Sequence, residues 1–120
     1  MRILFATGNQ NKINEANILF SELGHSVEGL IINGELPNFI EPQSPNLEDV
    51  AASKLKQAIS LIEGTELEEC AIMVEDSGLF IDQFPSFPGV FSSFVYDSIG
   101  LMGILNLLGN SSNRYAEYRA

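Results

Sequence analysis

The chain has 120 residues, 45% hydrophobic and 18% charged, a composition that suits one globular domain and excludes a largely disordered segment. Sixteen acidic residues against six basic ones give a formal net charge of −10, which argues against a nucleic-acid partner, because that affinity comes largely from Lys and Arg displacing counterions. Unbroken apolar runs reach only about four residues against the ~20 of a membrane span, and the single Cys70 rules out an intrachain disulfide, so a cytoplasmic protein without a membrane partner is expected.

Residues 2–6 read as a first strand, too short for a helix and stopped by Thr7-Gly8-Asn9; without a longer apolar stretch and a cleavage site they are not a signal peptide. The spacing of Ile13, Ala16, Phe20 and Leu23 predicts a helix over 11–23, with Gly24 as its stop. A second strand is expected within 25–32, followed by an Asn33-Gly34 turn. Residues 36–45 hold three of the five prolines and are expected to be extended.

The clearest helix runs from Pro45 or Asn46 to Ile62, with Pro45 suited to a first helical position and Glu48 and Asp49 complementing the dipole. Its expected buried stripe is Leu47, Val50, Ala51, Leu55, Ala58, Ile59 and Ile62. A short strand over 71–74 leads into Glu75-Asp76-Ser77-Gly78, and strand is expected to continue over 79–84. Residues 84–89 read as a loop, 98–108 as an apolar helix weakened by Gly100 and Gly103, and 114–120 as a strand with Tyr115, Glu117 and Arg119 on one face. The alternation of strands and helices points to an α/β fold.

Two segments combine residues with chemistry to offer. Thr7-Gly8-Asn9-Gln10-Asn11-Lys12 lies at a strand-to-helix junction, where amides at the positive end of the helix dipole suit phosphate oxygens. Gly8 permits close approach, Thr7 and Asn9 offer hydrogen bonds, and Lys12 brings a positive charge; an ordinary helix-capping turn uses the same residues. The second segment, Glu75-Asp76-Ser77-Gly78, follows an apolar strand, at the end of the strand where ligands bind in α/β sheets. Two carboxylates and a hydroxyl there suit Mg²⁺, and one carboxylate suits deprotonation of an attacking water; a solvated acidic turn is the alternative. Elsewhere, Glu41 reads as a surface acid, Lys54 as solvated or phosphate-facing, and His25 and Cys70 as structural. For Phe87-Pro88-Gly89-Val90-Phe91-Ser92-Ser93, core packing is favoured over contact with a bound base.

Taken in order, these segments resemble the inosine triphosphate pyrophosphatase family. Phe5-Ala6-Thr7-Gly8-Asn9 with Lys12 and Glu15 is similar to the family's T-G-N-x-x-K signature, and Glu75-Asp76-Ser77-Gly78-Leu79 to its E/D-D-S-G-L motif. The segment from Phe87 to Ser93 resembles its P-G-x-Y-S stretch, with Phe91 in place of Tyr, and Gly100, Gly103, Ile104, Leu105 and Leu108 continue the pattern. Glu41, upstream of the helix that carries Lys54, resembles the family's metal-linked acid.

The resemblance implies Mg²⁺-dependent attack of water on ITP, dITP or XTP, giving the monophosphate and pyrophosphate. It implies phosphate binding by Thr7, Gly8, Asn9, Lys12, Lys54 and Ser77, a metal held by Glu41, Glu75 and Asp76, and Asp76 as the base. It further implies an elongated, two-lobed α/β fold, a mixed twisted sheet flanked by helices, and a homodimer. The family's Gly-Phe-Gly-Tyr-Asp-like and Ser-His-Arg segments are missing from residues 1–120, so a single domain incomplete at its C-terminus is expected. Competing expectations are a non-catalytic nucleotide-binding or assembly module and a Maf-type nucleotide pyrophosphatase.

Overall fold

The computed structural model describes residues 1–120. Its elements are β1 (Arg2–Phe5), α1 (Gln10–Ser21), β2 (Ser26–Gly29), α2 (Leu47–Ile62), β3 (Ala71–Met73), β4 (Gly78–Ile81), a 3₁₀ turn (Gly89–Phe91), α3 (Ser92–Leu108) and β5 (Ala116–Arg119). The fold is α/β, as expected, and both parallel and antiparallel strand pairing occur, in separate sheets. The chain forms two compact units, one of Met1–Pro42 and Ala51–Glu75, the other of Gln43–Val50 and Asp76–Ala120.

The first unit is built on a parallel sheet in the order β2-β1-β3. Central β1 pairs Ile3 with Val27 on one side and with Ala71 on the other. A strand flanked on both edges and packed on both faces has to be apolar throughout. Accordingly, Leu4 and Ala6 join Leu30, Ala58 and Ile62 in one cluster, while Ile3 and Phe5 join Ile13 and Val27 in another. The expected Asn33-Gly34 turn is present, with both residues at positive φ and Ile32 bridged to Glu35; this is the geometry that an Asn-Gly pair adopts most readily.

Several boundaries differ from expectation for identifiable reasons. Helix α1 stops at Ser21, so Leu23 falls off its apolar stripe and is exposed. Helix α2 is capped by Asn46, whose Oδ1 accepts from the Glu48 amide at 2.9 Å. Pro45 therefore precedes the cap and does not open the helix. Of the α2 stripe, Val50, Ala58 and Ile62 are buried, whereas Ile59 is half exposed.

In the second unit, β4 and β5 pair antiparallel, with Phe80 opposite Glu117. The core is Ile81, Val95, Ile104 and Leu108, with Leu79, Phe84 and Phe87 packed against it. Helix α3 begins at Ser92, six residues before the expected start at Ser98. The segment 87–93 thus divides between loop and helix, with Pro88 and Gly89 buried as core packing requires.

Gly78 fixes the start of β4. A Cβ at this position would sit 2.1 Å from the Gly89 carbonyl oxygen, so only glycine lets the two backbones approach. The Ser92 hydroxyl closes the junction, accepting from the Leu79 amide at 2.8 Å and donating to the Gly89 carbonyl at 2.6 Å.

The stretch Gly89–Leu108 is long and apolar enough, by length and composition, to cross a membrane. Its backbone nevertheless breaks at Gly100, which takes φ 65° and ψ −177°, a conformation open essentially to glycine alone. Each helical portion of α3 beside the break is about eight residues, or ~12 Å, well below the ~30 Å of a hydrocarbon core.

Candidate active site

The first motif and Glu75, the first residue of the second, meet at the carboxyl end of the first unit's sheet. Because β1 and β3 are parallel neighbours with Phe5 opposite Met73, they run out of the sheet side by side. The Ala6 amide donates to the Met73 carbonyl at 2.9 Å, extending the pairing to the last residue before the Thr7 turn. Thr7 and Glu75 are therefore delivered together at the carboxyl ends of their strands, the position where open α/β sheets place ligand sites.

The turn from β1 into α1 is shaped by its own side chains. Thr7 Oγ1 accepts from the Asn9 amide at 3.2 Å. Asn9 adopts extended backbone, and its Oδ1 accepts from the amides of Asn11 and Lys12, at 3.0 and 3.4 Å. Both oxygens, expected to face a ligand, instead hold the turn, and two of the first helical amides are already capped. Gly8 is exposed and has open space around its α-carbon.

Lys12 projects from the first turn of α1 and forms an ion pair with Glu75, both side chains about two-thirds buried. This contact joins the T-G-N-x-x-K segment to the E-D-S-G segment across 63 residues of chain. A second ion pair, between Lys54 Nζ and Glu41 Oε1 at 3.2 Å, ties α2 to the proline-rich segment. Lys54 is largely buried there, with 14% of its side chain accessible, so the solvated reading does not hold.

Asp76 and Ser77 follow Glu75 directly and belong to the second unit. Both are half-buried, and Asp76 Oδ2 is shielded from solvent. In sequence, Glu75, Asp76 and Ser77 are consecutive oxygen-bearing residues, of the type that suits a hard divalent cation retaining several of its waters. No group of three or more His, Cys, Asp or Glu side chains gathers as a closed metal cage. Glu41, expected with Glu75 and Asp76, is instead paired with Lys54 and about half exposed.

The remaining candidates are structural. His25 Nδ1 lies 3.2 Å from the N-terminal amine, and Cys70 packs against the Leu4 cluster. Sequence reasoning gave Ser92 no role of its own, although its hydroxyl fixes the strand that follows the acidic motif. The signal available was a serine three residues after Gly89 in the segment that must approach Gly78.

Comparisons with known proteins identify the family. The sequence profile of the Ham1 family matches residues 3–120. The chain is 39% identical to a dITP/XTP pyrophosphatase of Methanopyrus kandleri over 98% of its own length and 57% of that protein's. It is 36% identical to a dITP/XTP pyrophosphatase of Thermococcus kodakarensis over 100% of its own length and 59% of that protein's. Among solved structures, the Ham1 protein of Staphylococcus aureus superposes with a TM-score of 0.72 at 27% identity, covering 98% of this chain and 59% of that one. The chain thus spans a little under three-fifths of the length of these relatives.

Proposed function

The chain belongs to the Ham1 family, and from that premise we propose that it serves the hydrolysis of ITP, dITP and XTP to the monophosphate and pyrophosphate. The observation that carries the reading is the Lys12–Glu75 pair, a cation held beside a carboxylate where two parallel strands end, with Asp76 next in sequence. Its support from comparison is that relatives matched along the whole chain are named dITP/XTP pyrophosphatases.

In this reading the exposed Gly8 backbone and the Lys12 ammonium receive phosphate oxygens, and Thr7 and Asn9 act by keeping the turn in shape. Glu75 and Asp76 are the residues that would hold Mg²⁺, with Ser77 next in sequence. The bound ion supplies charge neutralisation for the triphosphate and lowers the pKa of water. Asp76 accepts the proton of the attacking water, and Lys12 holds Glu75 in place until a phosphate competes for the ammonium. Lys54, with Glu41 as its counter-ion, adds positive charge toward the triphosphate; Glu41 assists the metal only by exchanging that partner.

The test is pyrophosphate release from ITP, dITP and XTP with Mg²⁺, against ATP and GTP as standard triphosphates. Preferential release from the first three is expected, and Asp76→Asn is expected to lower it by roughly 10²–10⁴-fold, the usual contribution of a general base. Nucleotide binding without release would replace hydrolysis by a binding role. Undiminished turnover in Asp76→Asn would remove Asp76 as the base.

A further inference from the structure

Residues 36–45 lie outside both sheets, yet the backbone of Ile40 makes the two hydrogen bonds of a strand pair. Its amide donates to Gln57 Oε1 at 2.9 Å, and its carbonyl accepts from Gln57 Nε2 at 2.7 Å. A side-chain amide carries the donor and the acceptor of a peptide group, so one glutamine satisfies both backbone groups at once. Gln57 is itself held in place on α2. Its Nε2 also donates to the Ser53 hydroxyl at 3.1 Å and to the Ser53 carbonyl at 3.2 Å, one helical turn earlier. The Ile40 side chain takes no part, being 81% exposed, whereas Phe39 packs against the Leu4 cluster.

The residue after Ile40 is Glu41, and Gln57 stands three residues after Lys54, on the same side of α2. Two consecutive residues of the proline-rich segment are thus held by two neighbouring positions of one helix, Ile40 by Gln57 and Glu41 by Lys54. Glu41 is restrained from both sides. The Ile40 carbonyl that accepts from Gln57 belongs to the peptide leading into Glu41, and Pro42 confines the Glu41 backbone to extended conformations. An ammonium as little exposed as that of Lys54 needs a fixed opposite charge, because its own hydration is largely lost. From this geometry we infer that Gln57 is a positioning residue. By clamping the Ile40 backbone it keeps the Glu41 carboxylate on the Lys54 ammonium, and so sets where that ammonium stands for an incoming triphosphate. The last step rests on the role proposed above for Lys54; the clamp on Ile40 does not.

Gln57→Met keeps side-chain length and helix propensity and changes no charge, while it removes both bonds to Ile40. Hydrogen exchange is expected to show lost protection at the Ile40 amide, with the Ala58 and Ile62 amides protected as in the wild type. In calorimetric titration with inorganic tripolyphosphate and Mg²⁺, Gln57→Met is expected to weaken binding roughly threefold to tenfold, the cost of ordering a freed side chain. In a Lys54→Met background the same substitution is expected to change affinity less than about twofold, because the ammonium it positions is gone. A general loss of structure would weaken binding alike in both backgrounds, and that result would overturn the inference. So would unchanged affinity of Gln57→Met with Lys54 present, or a still-protected Ile40 amide in that variant. A wild-type chain that binds no tripolyphosphate, or a Lys54→Met chain that binds it as the wild type does, would overturn the role proposed for Lys54 and this inference with it.

Discussion

At the scale of single residues, Asn9 has the most clearly divided role. Read in sequence, it belonged to a turn that either receives phosphate or caps a helix, and the structure shows the cap. Losing an N-cap oxygen costs about 1 kcal/mol. Asn9→Ala is therefore expected to lower Tm by roughly 4 °C in a thermal melt, and Asn9→Ser or Asn9→Asp to recover most of that loss. An unchanged Tm in Asn9→Ala would show that the cap contributes nothing to stability. The types of residue in the site were legible because each motif is local, but their partners were not. That Lys12 reaches Glu75 depends on β1 and β3 being parallel neighbours, and that Lys54 is spoken for by Glu41 depends on where the proline-rich segment lies. Long-range pairings of this kind leave no local mark on a sequence.

At the scale of elements, helix periodicity and turn residues located most of the structure. Helix α2 ends at Ile62 as expected, and Asn33-Gly34 turns the chain where it should. The early start of α3 was hidden because 87–93 carries Pro88 and Gly89, which read as loop, while the helix takes over only at Ser92. Gly100 weakens the helix for good reason: its non-helical backbone divides α3 into two helical portions. The clearest prediction concerns Gly78, where the clash at 2.1 Å is with backbone that cannot rotate away. Gly78→Ala is expected to destabilise the second unit by about 1–3 kcal/mol, the range for overpacking. Hydrogen exchange checks this: amides of β4, β5 and α3 should lose protection, and wild-type protection in all three would contradict the packing.

At the scale of the whole molecule, charge and length dominate. A net charge of −10 on 120 residues, with no Lys or Arg from 57 to 113, leaves carboxylates repelling one another across much of the chain. Raising ionic strength screens that repulsion more than it weakens two partly buried ion pairs. Tm is therefore expected to rise as NaCl increases from roughly 20 to 200 mM, where the Debye length falls to about 7 Å; a falling Tm would mean the ion pairs outweigh the self-repulsion. The composition made this acidity plain, and the strand–helix alternation made the α/β class plain. What composition hid was the division into two compact units with separate apolar clusters, because sequence patterns show which residues are buried but not which of them share a core.

The turn between β1 and α1 carries a last consequence. Thr7 and Asn9 spend their side-chain oxygens on amides of the same turn, which braces the loop from within. If the turn receives an anion as proposed, little main-chain freedom is left to freeze, and titration calorimetry should record a binding entropy governed by released water and counterions instead of by loop ordering.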